Sequence, residues 1–263
     1  MRPGPLWSLV LLAGLASAVE PPVLRVGLDP RSPPFAYVPG REDVPDDLEA
    51  PPQLSEAQLS RLVGFEIDVM NAIAQRIAMR PQVVQVSWDE LEKGLLEKRY
   101  DIILAEWTPS PTTPPRILAS SPYIDWSLVV VARAGDKRIR STADLEGRAV
   151  GHYPDPSVER GLAAMRKSLG ARFMVKRNEQ ILFAELKAGR LDAVIYDSMY
   201  VRWRVARDPS LRIVGEPLSR LGYHVGVRRE DQALYDLIEV ALREMVGGGE
   251  VERLRQRWDK ERP

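Results

Sequence analysis

The feature that most constrains this chain is a repeated alternation of short β-type runs with helical spacings. Leu24–Asp29 is a β-type run closed by Pro30, Pro33 and Pro34. Gly64–Ala78 then places Phe65, Val69, Ile73 and Ile77 at the spacing of one helical face. A strand is expected at Gln82–Val86, a short helix at Trp88–Lys98 and a buried strand at Asp101–Trp107. The pattern restarts at Leu128–Arg133 and continues with a strand at Ala149–Tyr153. Asp155-Pro156 should open a helix, because Asp caps well and Pro suits the first helical position. That helix is expected to run to about Leu169 and stop at Gly170. Strands at Phe173–Lys176 and Ala193–Tyr196 follow, each with a helix after it, near Gln180–Ala188 and Ser198–Ala206. Ile213-Val214 and Tyr223–Val227 read as strands, and Gln232–Met245 and Val251–Lys260 as closing helices. Strands interleaved with helices require an α/β chain, expected here to have largely parallel sheets. The restart near 128 and the return after 222 predict two lobes, the second inserted into the first.

The 263 residues balance 37 Lys+Arg against 37 Asp+Glu, which argues against nucleic acid as a partner. There is no cysteine, so disulfides, thiolate nucleophiles and cysteine metal sites are excluded. Two histidines, His152 and His224, do not make a histidine-rich metal site. Leu6–Ala18 is an uncharged, mostly apolar run ending in Ala16-Ser17-Ala18. It is too short to span a bilayer and suits an export signal covering residues 1–18, which predicts a secreted or periplasmic protein. Residues 38–60 hold four prolines and six acidic residues and read as an exposed loop with a helical turn near Ser55. Thr108–Pro115 holds four prolines in eight residues and must be a turn or extended loop.

Seven segments, in order, resemble the bacterial extracellular solute-binding proteins of the polar amino-acid type, family 3. LRVGLDPRSPPFAY is similar to the family's opening strand and Pro-Pro-Phe turn, and LVGFEIDVMNAIAQRI to its "G-F-D-V-D-L" helix. WDELEKGLLEKRYDIILAEWT resembles "W-D-G-L…G-K-Y-D-V-I-I-A-G-M-T", and SSPYI resembles "S-D-P-Y". LEGRAVGHY, ELKAGRLDAVIYDS and GGGEVERLRQRWDK match the later motifs in sequence order. The resemblance implies a two-lobed, type II periplasmic-binding-protein-like fold. Residues 19–127 and 222–263 would form lobe 1 and 128–221 lobe 2, with two hinge strands near 127–133 and 220–227. It implies a monomer without catalytic residues, cofactor or metal, which passes a small ligand to an inner-membrane ABC permease.

The same resemblance assigns the site. Asp197 matches the acid that takes the ligand ammonium, and it also stands where a helix cap belongs. The family's clamp Arg is Thr113 here, and Arg116 lies three residues beyond. The family's "G-T-T" turn, which meets the ligand carboxylate, reads Asp155-Pro156-Ser157. Glu106 replaces a small residue before the conserved "M-T" pair, whose threonine is Thr108. Trp88, Trp107 and Tyr153 are implied walls, and Ser32 replaces a stacking aromatic. Glu106 and Asp197 together would make an acidic pocket that demands a cation. The expected ligand is therefore polar but not a standard α-amino acid. Alternative readings are a sensor or accessory binding protein, and a cyclohexadienyl-dehydratase-like enzyme with Glu106 or His152 as general acid.

Overall fold

The structure is a computed structural model that describes residues 20–41, 53–163, 165–176 and 179–260. The expected export segment 1–18 and residues 42–52 of the acidic loop lie outside the described residues.

Leu24, Val26 and Leu28 of the strand Val23–Leu28 are fully buried, as a strand covered on both faces requires. That strand pairs in parallel with Arg80–Gln85 on one side and Ile102–Ile103 on the other. Gly226–Arg228 pairs antiparallel with Ile102–Ile103, and Ile117–Ala119 closes the edge of this first five-stranded sheet. Tyr100 anchors its underside: the ring is fully buried, and a Cβ at Gly27 would lie 2.5 Å from it. The Tyr100 hydroxyl donates to the Leu91 carbonyl of the helix Leu91–Leu96.

The second sheet has the order Arg172–Val175, Ala149–His152, Ala193–Asp197, Leu128–Arg133, Leu211–Val214. Its first three strands are parallel, while Leu128–Arg133 runs antiparallel to both neighbours. Both sheets are thus mixed, where largely parallel ones were expected. In each, the antiparallel member is the strand that has just arrived from the other sheet. The two crossings pair with each other: Ile124–Trp126 lies antiparallel to Leu221–Tyr223. This ladder splits the expected strand Tyr223–Val227 into Leu221–Tyr223 and Gly226–Arg228.

Helices flank both sheets. Phe65–Arg76 packs beside Gln232–Gly247 and Glu250–Lys260, and Glu179–Lys187 and Ser198–Arg207 cover the second sheet. The expected helix from Asp155 to Leu169 forms as two, Pro156–Ala163 and Arg166–Leu169, and Gly170 ends it in the left-handed conformation. A helical turn at Glu56–Leu59 is closed by a Ser55–Gln58 capping box. Among the described residues no helix is long and apolar enough to cross a membrane.

Candidate functional site

The expected strand Asp101–Trp107 is hydrogen-bonded as a strand only at Ile102–Ile103, because the backbone turns out of it at Glu106. Glu106 has φ of 52°, a left-handed conformation uncommon for a residue with a Cβ. Its N–H donates to Glu66 Oε1 at 2.6 Å, and the Tyr123 hydroxyl donates to the same oxygen at 2.5 Å. Glu66 is on the first turn of the helix Phe65–Arg76 and is only 1% exposed. The Glu106 carboxyl is hydrogen-bonded by Ser32 and lies in the electrostatic reach of Glu66, Asp197 and Glu179.

Asp197 ends a strand of the second sheet and caps the following helix. Its Oδ1 accepts from the backbone N–H of Met199 at 2.7 Å and of Tyr200 at 2.8 Å. Its Oδ2 accepts the hydroxyl of Tyr223, at 2.6 Å, from the ladder between the sheets. The cap is therefore present, and one carboxylate oxygen also ties the second sheet to the crossing. The position outside the carboxyl end of a strand is where open α/β sheets place ligands.

No Lys or Arg among the described residues forms an ion pair with Glu66, Glu106 or Asp197. Burial without a compensating cation disfavours the ionised carboxylate. Burial pushes Glu66 up to about 7, although hydrogen bonds from Tyr123 and from the Glu106 backbone oppose it and the Asp197 charge adds to it. Burial, and then the neighbouring Glu66 charge, hold Glu106 well above the usual carboxylate range. Burial raises Asp197 to about 6 against the Tyr223 and backbone hydrogen bonds and the weaker pull of the Arg202 charge, which makes no ion pair with it.

Tyr223, hydrogen-bonded to Asp197, belongs to a group of packed aromatic rings. Tyr223 stacks on Trp126 at 5.2 Å between centroids and meets the edge of Phe35 at 5.7 Å. Trp88 is half-buried and donates its indole N–H to the Ala105 carbonyl, next to Glu106. Tyr153 is half-buried just beyond the strand Ala149–His152.

Other expected site residues are committed to structural contacts. Trp107 is 3% exposed, lies against Gly226 and donates to Glu92 Oε1 at 3.1 Å. The Thr108 hydroxyl donates to Gly222 O at 2.9 Å and accepts the Trp126 indole N–H at 3.1 Å, so it fastens both crossings. Thr113, at the family's Arg position, donates to Glu92 Oε1 at 2.7 Å. Arg116 is exposed, 3.8 Å from Glu230, and Arg31 is paired with Asp29 at 2.5 Å. Asp155 Oδ1 takes the N–H groups of Ser157 at 2.7 Å and Val158 at 3.0 Å, and the Ser157 hydroxyl donates to it as well. Asp155 Oδ2 is buried with no hydrogen-bond partner. The helix N-terminus that the resemblance reserves for a ligand carboxylate is thus filled by the chain's own. Among the described residues no group of three or more His, Asp or Glu could hold a metal ion.

Glu66, Tyr123 and Tyr223 were not expected in the site. A signal for Glu66 existed: it shares a helix face with Met70 and Ile73, both buried, so its carboxyl had to enter the interior. Neither tyrosine carries such a mark, since each position depends on pairing between segments distant in sequence.

The family model for "Bacterial extracellular solute-binding proteins, family 3" matches residues 24–261. The L-cystine-binding protein TcyJ of Escherichia coli (strain K12) is 24% identical over 248 residues, covering 93% of this chain and 86% of its own. A mutant of ArgBP from T. maritima is 30% identical with TM-score 0.69, over 91% of this chain and 96% of its own. An ancestral arginine-binding protein bound to arginine is 27% identical with TM-score 0.70, over 91% and 99%. The chain accordingly belongs to the bacterial extracellular solute-binding proteins, family 3, and is a non-catalytic periplasmic binding protein of ABC-type transport.

Proposed function

We propose that this protein captures a small organic cation that needs no α-carboxylate and delivers it, as a monomer, to an inner-membrane permease. Glu106 and Asp197 would take the positive group, with Trp88 and Tyr153 as walls. The mature chain would begin at Val19. Residues 19–127 and 222–263 would form one lobe and 128–221 the other, closing on the ligand about the ladder of Ile124–Trp126 with Leu221–Tyr223.

The observation that carries this reading is the acidity of the buried Glu66 and Asp197 and the half-buried Glu106, none of which forms an ion pair with a Lys or Arg among the described residues. Two of these carboxyls come from the first sheet's side and one from the second. A cation between them would relieve their repulsion and favour their ionised forms. A ligand carboxylate has no equivalent partner: Thr113 is uncharged and bound to Glu92, and Asp155 occupies the helix N-terminus. The ancestral relative is bound to arginine, and the Escherichia coli relative is named for cystine. Both ligands carry an α-carboxylate, so this chain departs from them at that end and keeps the cationic end.

Agmatine and L-arginine separate the two ends, since they share a guanidinium and differ in the α-carboxylate. Calorimetry should show agmatine binding and L-arginine binding at least tenfold more weakly. Removing one partner of a buried charge contact costs about 2–5 kcal/mol, so Asp197→Asn should weaken agmatine by more than tenfold. Tight L-arginine binding that survives Asp197→Asn would overturn the proposal.

A further inference from the structure

Glu66 belongs to no ligand contact named so far, yet it is the most enclosed carboxyl of the cluster. One of its oxygens, Oε1, receives two short hydrogen bonds: from the Tyr123 hydroxyl and from the Glu106 backbone. Glu106 sits at φ of 52°, a conformation that costs free energy for a residue with a Cβ and must be held by its surroundings. The neighbours on either side are fixed through other atoms: the Trp107 carbonyl accepts the His224 N–H at 2.8 Å, and neither neighbour holds the Glu106 N–H itself. Ala105 lends its carbonyl to Trp88, and Trp107 directs its indole N–H to Glu92. The Glu66 contact is therefore what holds the Glu106 N–H where the chain leaves the strand Ile102–Ile103.

We infer that Glu66 is a positioning residue of the ligand site, which fixes the Glu106 turn and so aims the Glu106 carboxyl at the cation shared with Asp197. The inference rests on the function proposed above. Glu66 has a second effect through charge. The groups that act on it are Tyr123, the Glu106 backbone and Asp197. Those that act on Glu106 are Ser32, Glu66, Asp197 and Glu179. An ionised Glu66 opposes ionisation of Glu106, and a cation entering beside them favours both ionised forms, so protons leave the pair for solvent.

Three variants of the full mature protein separate position from charge. Glu66→Gln keeps an acceptor at the same reach and removes the charge. Glu66→Asp keeps the charge and withdraws the acceptor by one methylene. Glu66→Ala removes both. Hydrogen exchange of the Glu106 amide, read by NMR without ligand, should stay slow in Glu66→Gln and speed up at least tenfold in Glu66→Asp and Glu66→Ala. In the same samples the Glu106 side-chain carbon should titrate at lower pH in Glu66→Gln than in the unmodified protein. A purely structural Glu66 would not move that midpoint. Agmatine affinity should fall more than tenfold in Glu66→Asp and less in Glu66→Gln. Because the exchange and titration measurements need no ligand, they stand even if agmatine proves to be the wrong probe. An unchanged Glu106 amide in Glu66→Asp, or an unmoved Glu106 midpoint in Glu66→Gln, would sink the inference. If Glu66→Ala does not fold, the other two variants decide it.

Discussion

Gly64 shows how closely the site depends on single atoms. Its φ is 144°, and a Cβ built there would lie 1.9 Å from the Phe35 carbonyl oxygen. No rotamer change can relax that contact, because the atoms the Cβ would meet, in Phe35 and Ala36, are backbone. Gly64→Ala should cost about 3–5 kcal/mol, within the range for forced strain, and chemical denaturation would measure it. It should also displace Glu66, two residues on. Asp197 allows a finer dissection. Asp197→Asn keeps an oxygen for the Met199 and Tyr200 N–H groups and turns its amide to the Tyr223 hydroxyl, which must then accept instead of donate, so unfolding free energy should change by about 1 kcal/mol or less while cation binding suffers. Asp197→Ala removes the cap as well and should cost a further 1–2 kcal/mol or so. Equal stability of the two variants would show that the cap contributes nothing.

The ladder between the sheets is held by few atoms. Thr108 Oγ1 connects Gly222 and Trp126, one residue in each crossing strand. Thr108→Val keeps the shape but leaves the buried Trp126 indole N–H without an acceptor, which costs about 1–3 kcal/mol. Thermal unfolding should register that loss, and an unchanged midpoint would show that water replaces the hydroxyl. A second fastening lies behind the first sheet. Arg228 is buried, pairs with Asp231 at 2.5 Å and donates to the carbonyls of Leu95 and Tyr100. Such elements explain what could be read ahead of the structure. Leu128–Arg133 and the helix from Ser198 were readable because five buried apolar residues in a row, and an Asp before a helical run, are local signals. The Glu106 turn was not, because nothing in Asp101–Trp107 announces a positive φ; the hydrogen bond that holds it comes from 40 residues away. The two hydrogen bonds of Thr108 were unreadable for a related reason, since its partners lie 18 and 114 residues away.

Across the whole molecule, the buried carboxyls reverse the usual response to acid. A carboxyl that holds its proton more tightly when folded makes folding take up protons. The stability it contributes is fully present below its unfolded value and lost as pH rises through its folded value. For Glu66 that window runs from 4.5 to about 7, and for Asp197 from 3.8 to about 6. Ligand-free protein should therefore become more stable as pH is lowered from 8 toward 5, read by its thermal midpoint, the two carboxyls outweighing His224, which burial holds below its ordinary value and which acts in the opposite sense. A bound cation favours the ionised forms, so agmatine should flatten this trend and release protons on binding at pH 6. A midpoint that rises with pH across that interval, without ligand, would contradict the buried acidity.

The interleaving of the two sheets also sets a timetable for manufacture. All five strands of the second sheet fall between Leu128 and Val214, one uninterrupted stretch of chain. The first sheet needs Gly226–Arg228 in its interior, between strands made more than 100 residues earlier. A polypeptide made from its amino terminus onward completes its middle before its beginning. Until residue 228 appears, Ile102–Ile103 and Ile117–Ala119 face each other across a missing strand, with exposed edges that invite wrong pairing. The late-arriving strand is thus the piece on which completion of the first sheet waits.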